Sequence, residues 1–320
     1  MTRLGTSSIA IVTLSGLIWS GWMIGSQTPQ GEEALAKAYA MYTAEAEAES
    51  DLFAPNALRA LVCGVGETAG RGDAKPCLAV AAAGRLFLVD AGSGAVSALQ
   101  SRNVGFENLA AVLLTGSDPV RSADLDEVLV GSAGFRNSST LPVYGPPGSY
   151  ELVDGLNVAL NAQGAPARLE SWAPAPEPGA PVIVFEADGL TIVAFTTKED
   201  AHQGRVGYRF DYRGRSLVVA GDGRAEWAEA AGNAEVVLHG ARSETLAQLH
   251  EQNETRPTPF EVASAARDSG AGMLVLTGMD PNPLIASQQV REAKESGLNG
   301  VVAGQLGMLL EMPLTSQAVH

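Results

Sequence analysis

Histidine is nearly missing from this chain. Of 320 residues only His202, His239, His250 and His320 are imidazoles, and the first 201 residues hold none. A site in that stretch works without the commonest metal-binding and acid–base side chain. Basic charge is also scarce: Lys and Arg total 21 against 36 Asp and Glu, a net charge of −15. Binding a phosphate backbone takes a Lys/Arg face that displaces its counterions. The balance therefore argues against nucleic acid as a partner and speaks first for solubility. Cysteine is limited to Cys63 and Cys77, too few for a disulfide scaffold. The two flank a Gly-rich turn, Gly64 to Gly72, and sit 14 residues apart. They read either as one bridge between neighbouring strands in an oxidising compartment or as two buried thiols. Charged residues reach only 18%, whereas 46% are hydrophobic and Gly and Pro number 36 and 17. That is ample material for a core, in a turn-rich α/β or all-β globule rather than a helical array.

Charge is absent altogether from Thr6 to Thr28, a stretch long enough to cross a bilayer as one helix. Arg3 precedes it and Glu32 and Glu33 follow, which puts the N-terminus in the cytoplasm and the rest outside. We expect a membrane anchor through residues 7–27, with the remainder on the periplasmic or extracytoplasmic side. The alternative is a cleaved signal peptide and a secreted protein, against which the small-residue cleavage pattern is weak. Residues 29–57 include an Ala/Glu-rich run of strong helix formers with Leu35, Tyr39 and Tyr42 at helical spacing. They read as a helical stalk, with a partner-binding helix as the other reading. The expected organisation is therefore an anchor or signal segment over 1–28, a stalk over 29–57 and a globular domain over 58–316.

Within the globular part, short apolar runs alternate with helical patterns. Strands are expected at Leu58–Cys63, Cys77–Ala81, Arg85–Asp90, Ala110–Thr115 and Leu141–Tyr144, with helices near Ala95–Gln100, 121–130 and Tyr150–Leu160. Residues 161–181, rich in Pro and Ala, read as a loop. The theme then repeats. Strands are expected at Val182–Phe185, Leu190–Phe195, Val206–Tyr212, Ser216–Ala220, Ala234–His239 and Met273–Thr277, and helices near Ala225–Ala231, Pro259–Asp268 and Pro283–Ser296. Two strand-rich halves with helices outside imply an α/β four-layer αββα sandwich.

Several fragments occur in a telling order: Val62-Cys-Gly-Val-Gly66, Phe87-Leu-Val-Asp-Ala-Gly92, Val112-Leu-Leu-Thr115, Val143-Tyr-Gly-Pro-Pro-Gly148, Gly207-Tyr-Arg-Phe210, Val218-Val-Ala-Gly-Asp222, Val237-Leu-His239 and Leu274-Val-Leu-Thr277. In that order they resemble the metallo-β-lactamase-fold superfamily, in its ribonuclease Z and arylsulfatase-like branch. The resemblance implies two zinc-type ions between the halves, whose bound hydroxide would hydrolyse a phosphodiester or sulfate ester. It also implies a His-x-His-x-Asp-His turn after the strand ending at Thr115, a bridging Asp, a His after the last strand and a further His as general acid.

The chain departs from that pattern where the chemistry lies. The four ligand positions after Thr115 are held by Gly116, Asp118, Val120 and Arg121, and Gly278 follows Thr277 where the family has His. Arg121 is a fixed cation that repels a metal. Asp222 matches the bridging Asp and His239 the acid His, as vestigial catalytic candidates, and Asp118 and Asp222 are the remaining metal candidates. Catalytic zinc takes about three protein ligands, so no cofactor is expected, or zinc if the site proves functional. His202 reads as a surface-loop residue or a relic, and Asp90 as a brace for the site loop. The expectation is a non-catalytic module whose cleft takes a small anion or a protein, with a homodimer in keeping with the family. The alternative is a metallo-hydrolase with an altered active site.

Overall fold

The structure, a computed structural model, describes residues 50–66, 75–135, 140–165, 167–174, 176–177, 179–197, 204–221, 227–241, 257–279 and 282–314. The chain divides into two units, Met1–Asp51 and Leu52–His320. Of the first unit only the last two residues are described, so the expected anchor and most of the stalk lie outside the described residues. Among the described residues no helix is long and apolar enough to cross a membrane.

A 3-10 turn, Ser50–Phe53, spans the boundary in sequence, and the second unit then runs β1 (Ala57–Gly64), β2 (Cys77–Ala82), β3 (Arg85–Val89), α1 (Ala95–Gln100), β4 (Leu109–Leu113), α2 (Pro119–Ser122), α3 (Leu125–Ser132), β5 (Thr140–Tyr144), α4 (Ser149–Ala162) and β6 (Arg168–Trp172). Its later part contains β7 (Val182–Ala187), β8 (Leu190–Thr196), β9 (Val206–Tyr212), β10 (Arg215–Val219), α5 (Trp227–Ala230), β11 (Val236–Gly240), α6 (Pro259–Asp268), β12 (Met273–Thr277), α7 (Pro283–Lys294), β13 (Val301–Ala303) and β14 (Leu309–Pro313). One seven-stranded sheet has the order β14-β1-β2-β3-β4-β5-β6 and the other β13-β12-β11-β10-β9-β8-β7.

Alternation along the strands builds the layers. In β1, Leu58, Ala60 and Val62 join an apolar cluster with Tyr208, Phe210 and Leu217 of the other sheet. Leu61 and Cys63 point the opposite way, to Leu99 of α1, Leu125 of α3 and Val153 of α4. A third cluster lies between the second sheet and its helices, from Val237 and Leu274 to Trp227 and Val262. Strands apolar on both faces are what a sheet covered on both sides requires. Three apolar layers between two sheets and two sets of helices make the αββα sandwich.

Three strands were not expected. The segment 161–181 is not all loop, because β6 pairs in parallel with β5. β13 and β14 extend the two sheets at their other edges, β14 pairing antiparallel with β1. The helix expected over 121–130 is two helices, α2 and α3. Asp118 caps the first, its side chain accepting from Val120 N, and the Asp124 carboxylate between them is drawn to Val96 N at 3.2 Å.

Between β1 and β2 the register shifts at Val62/Gly64, leaving Cys63 in the irregularity. A disulfide joins Cys63 to Cys77 there, with Cα atoms 4.9 Å apart, inside the usual range.

Candidate functional site

The carboxyl ends of the parallel strands of both sheets converge on one cavity of about 40 Å³, lined by Asp90, Thr115 and Arg121 and by Gly64, Gly221 and Gly278 among others. Strand ends of this kind are where open α/β sheets bind ligands. Asp90 follows β3 with φ of 58°, a left-handed conformation that Asp tolerates better than most residues. That turn aims its carboxylate across to the end of β4. Asp90 Oδ1 accepts from Thr115 N at 2.7 Å, and Oδ2 accepts from Thr115 Oγ1 at 2.7 Å. The turn sits tightly on the next loop: Ala91 N donates to Arg121 O at 2.7 Å, and a Cβ on Gly92 would lie 2.4 Å from Val120 O. Only glycine fits there.

From Thr115 the polar chain continues into the loop that the resemblance makes the metal-binding turn. Arg121 Nε donates to Thr115 Oγ1 at 3.0 Å, so this hydroxyl accepts from a guanidinium while donating to a carboxylate. Arg121 Nε also lies 3.8 Å from Asp90 Oδ2, and Arg121 Nη1 donates to Asp118 Oδ2 at 2.8 Å. A second guanidinium reaches the same oxygen from the other half of the sandwich: Arg205, just before β9, is 3.2 Å away through Nη1. Asp118 Oδ1 accepts from Val120 N at 3.2 Å, capping α2. Arg121 is only 4% exposed. Long charged side chains are almost never this buried unless paired, and here the pairing is extensive.

Burial pushes the Asp90 carboxyl from its usual 3.8 up to about 6, since a charge there is cut off from water. Arg121 and the two Thr115 hydrogen bonds pull the other way without cancelling that effect. Burial, helped by the charge of Asp90, also pushes the Tyr208 hydroxyl well above its ordinary range. That hydroxyl stays protonated and donates to Leu114 O at 3.0 Å, bridging the sheets.

The positions singled out in the sequence fall into three groups. Gly116, Asp118, Val120 and Arg121 come together in the loop after β4; Arg121 lines the cavity, and so does Gly278, whose N donates to Val65 O at 3.1 Å. His239 is buried but lies on the other face of β11, its ring 4.9 Å from that of Trp227 in the helix-side layer and its Nδ1 at the carbonyl of Gly240. Asp222 and His202 lie outside the described residues. Sequence reasoning passed over Thr115 as a side chain and Arg205 entirely. Thr115 could have been found as the hydroxyl closing the apolar run that begins at Leu109, but Arg205 carries no local signal, because its partner is in the other half.

The described residues do not fit a metal pair. Both oxygens of Asp118 are engaged, one by two guanidiniums. A Cβ on Gly116 would lie 2.9 Å from Arg205 Nη1 and 3.0 Å from Asp118 Oδ2, so an imidazole at that position would have to displace the cluster. A dication among these groups would face two fixed cations that cannot be deprotonated. Among the described residues no group of three or more His, Cys, Asp and Glu side chains gathers as a metal site.

No family model matches the chain. Among curated proteins it is 31% identical over 238 residues to a ribonuclease Z of Mycolicibacterium paratuberculosis, covering 68% of this chain and 83% of that protein. Among solved structures it is similar to the metallo-β-lactamase fold protein YhfI of Bacillus subtilis, with a TM-score of 0.63, 21% identity and coverage of 80% of this chain and 100% of that one. It is similar also to the short form of human tRNase Z, with a TM-score of 0.64, 15% identity and coverage of 80% and 99%. The structural likenesses establish the fold, and the curated relative establishes kinship. The arylsulfatase side of the resemblance rests on the sequence fragments alone.

Proposed function

Because the chain belongs to the ribonuclease Z family of the metallo-β-lactamase fold, we propose that it is an exported, membrane-tethered member that keeps the sandwich as a non-catalytic binding module. The observation that carries this reading is Arg121. It occupies the last ligand position of the loop after β4, is almost fully buried, lines the cavity beside Thr115, and is bonded to Thr115 and Asp118. Metal-assisted hydrolysis needs a dication that polarises the ester and lowers the pKa of its water. A guanidinium supplies fixed charge and donors but neither an open coordination position nor an acidic bound water. The cavity, of about 40 Å³, has room for a few waters, and a ligand, a small anion or a protein segment, would meet its rim.

Two features support export. The uncharged stretch Thr6–Thr28 is long enough to span a bilayer, and the Cys63–Cys77 disulfide suits an oxidising compartment.

The test is hydrolysis of a chromogenic phosphodiester by the purified protein with zinc or manganese added. This reading expects no turnover above the protein-free blank. Turnover that requires the metal and disappears with a chelator would favour a hydrolase with an altered site instead.

A further inference from the structure

The ion cluster joins two halves of the sandwich that elsewhere in the interior meet through apolar side chains. Asp118 and Arg121 belong to the loop after β4 in the first sheet, and Arg205 precedes β9 in the second. Asp118 Oδ2 holds a guanidinium from each side, at 2.8 and 3.2 Å. Three further polar links cross nearby: Val206 N to Thr115 O at 3.1 Å, Tyr208 Oη to Leu114 O at 3.0 Å, and Gly278 N to Val65 O at 3.1 Å. This seam lies where the resemblance puts metal ions between the halves.

Resting on the reading above, we propose that Arg121 and Arg205 are a built-in substitute for the metal ions, two fixed side-chain cations that hold the halves together through Asp118. Charge balance supports this. Among the described residues, with Asp90 ionised, Asp90 and Asp118 are matched one for one by Arg121 and Arg205, which leaves these groups no surplus of negative charge to attract a dication. The guanidinium keeps its proton at any pH the protein meets, so the seam is independent of metal supply. Removing Arg121 would leave the buried Asp90 carboxylate without its nearby counter-charge, the costly half of breaking a buried pair, and would leave Asp118 to Arg205 alone.

Thermal unfolding of the full chain, with zinc chloride or with a chelator, tests the proposal. The wild type should unfold at the same temperature in both. Arg121→Met should unfold lower by on the order of 10 °C, by the same amount in zinc and in chelator. A variant as stable as the wild type, or a wild type that zinc stabilises or the chelator destabilises, would overturn the substitution. Should Arg121→Met not yield folded protein, a cycle of Asp118→Asn, which keeps the helix cap, Arg205→Gln and the double variant decides. Coupling predicts that the double variant loses less than the two single losses together, and simple additivity overturns the link between the halves. The two readings fail differently. Metal bound to the wild type would sink the non-catalytic reading, whereas a metal-free wild type with additive variants would sink the substitute alone.

Discussion

The carboxylate of Asp90 and the hydroxyl of Thr115 lie 2.7 Å apart beneath the ends of β3 and β4, and the backbone N–H of Thr115 holds the other carboxylate oxygen at the same distance. This pair fixes the floor of the cavity and links the β3 turn to the guanidinium of Arg121.

Stability should depend on pH through Asp90. Its carboxyl is raised to about 6 in the fold against 3.8 when exposed. Between those values the folded chain holds a proton that the unfolded chain has lost, so this contribution is complete below about pH 4 and is lost as pH rises through 6. The full effect is about 3 kcal/mol. Urea unfolding from pH 4 to 7 should show that component in the wild type and not in Asp90→Asn. Identical pH profiles for the two proteins would rule it out.

Thr115→Val removes the one hydroxyl shared by Asp90 and Arg121. The shape is nearly kept, but a buried acceptor and a buried donor each lose a partner, at a cost of about 1–3 kcal/mol for each group. Thr115→Ser keeps the hydroxyl and should recover most of the loss. Equal stability of the Val and Ser variants in urea would show that the hydroxyl is not a link.

His239→Ala should act on the core and not on chemistry. The ring is fully buried against Trp227 on the helix side of its sheet, so truncation leaves a cavity costing about 2–4 kcal/mol. The quantity to follow is the urea midpoint beside phosphodiester turnover. A variant that loses turnover at unchanged stability would restore His239 as the acid.

The disulfide closes a short loop, with Cys63 and Cys77 separated by 14 residues. In the chain-entropy account such a link contributes about 3 kcal/mol. A Cys63→Ala/Cys77→Ala variant should therefore unfold at lower temperature, with or without reductant, and the wild type should approach it only when reduced. Free thiols in protein isolated under alkylating conditions would contradict the bridge itself.

Much of the sandwich was legible because its strands are apolar on both faces: Ala57–Gly64 and Met273–Thr277 stand out as short hydrophobic runs between turns. The edges were not. Arg168-Leu-Glu-Ser-Trp172 buries only Leu169 fully and is embedded in Pro and Ala, so its strand character comes from pairing with β5. Val301–Ala303 is too short to carry a period. The departures of Gly116, Val120 and Arg121 from a metal-binding turn could be read directly, since they concern residue type. What took their place could not. Arg205 reaches Asp118 from the other half, and Thr115 becomes a link only when β3 delivers Asp90 beside it. Contacts between segments distant in sequence leave no local pattern.

The central claim is that guanidinium groups stand where the family's ions would. Metal analysis of the full chain, purified from zinc-supplemented cells and dialysed against zinc-free buffer, tests it most directly. The account predicts zinc and manganese at trace level, far below one ion per chain. About two tightly held ions per chain would contradict it.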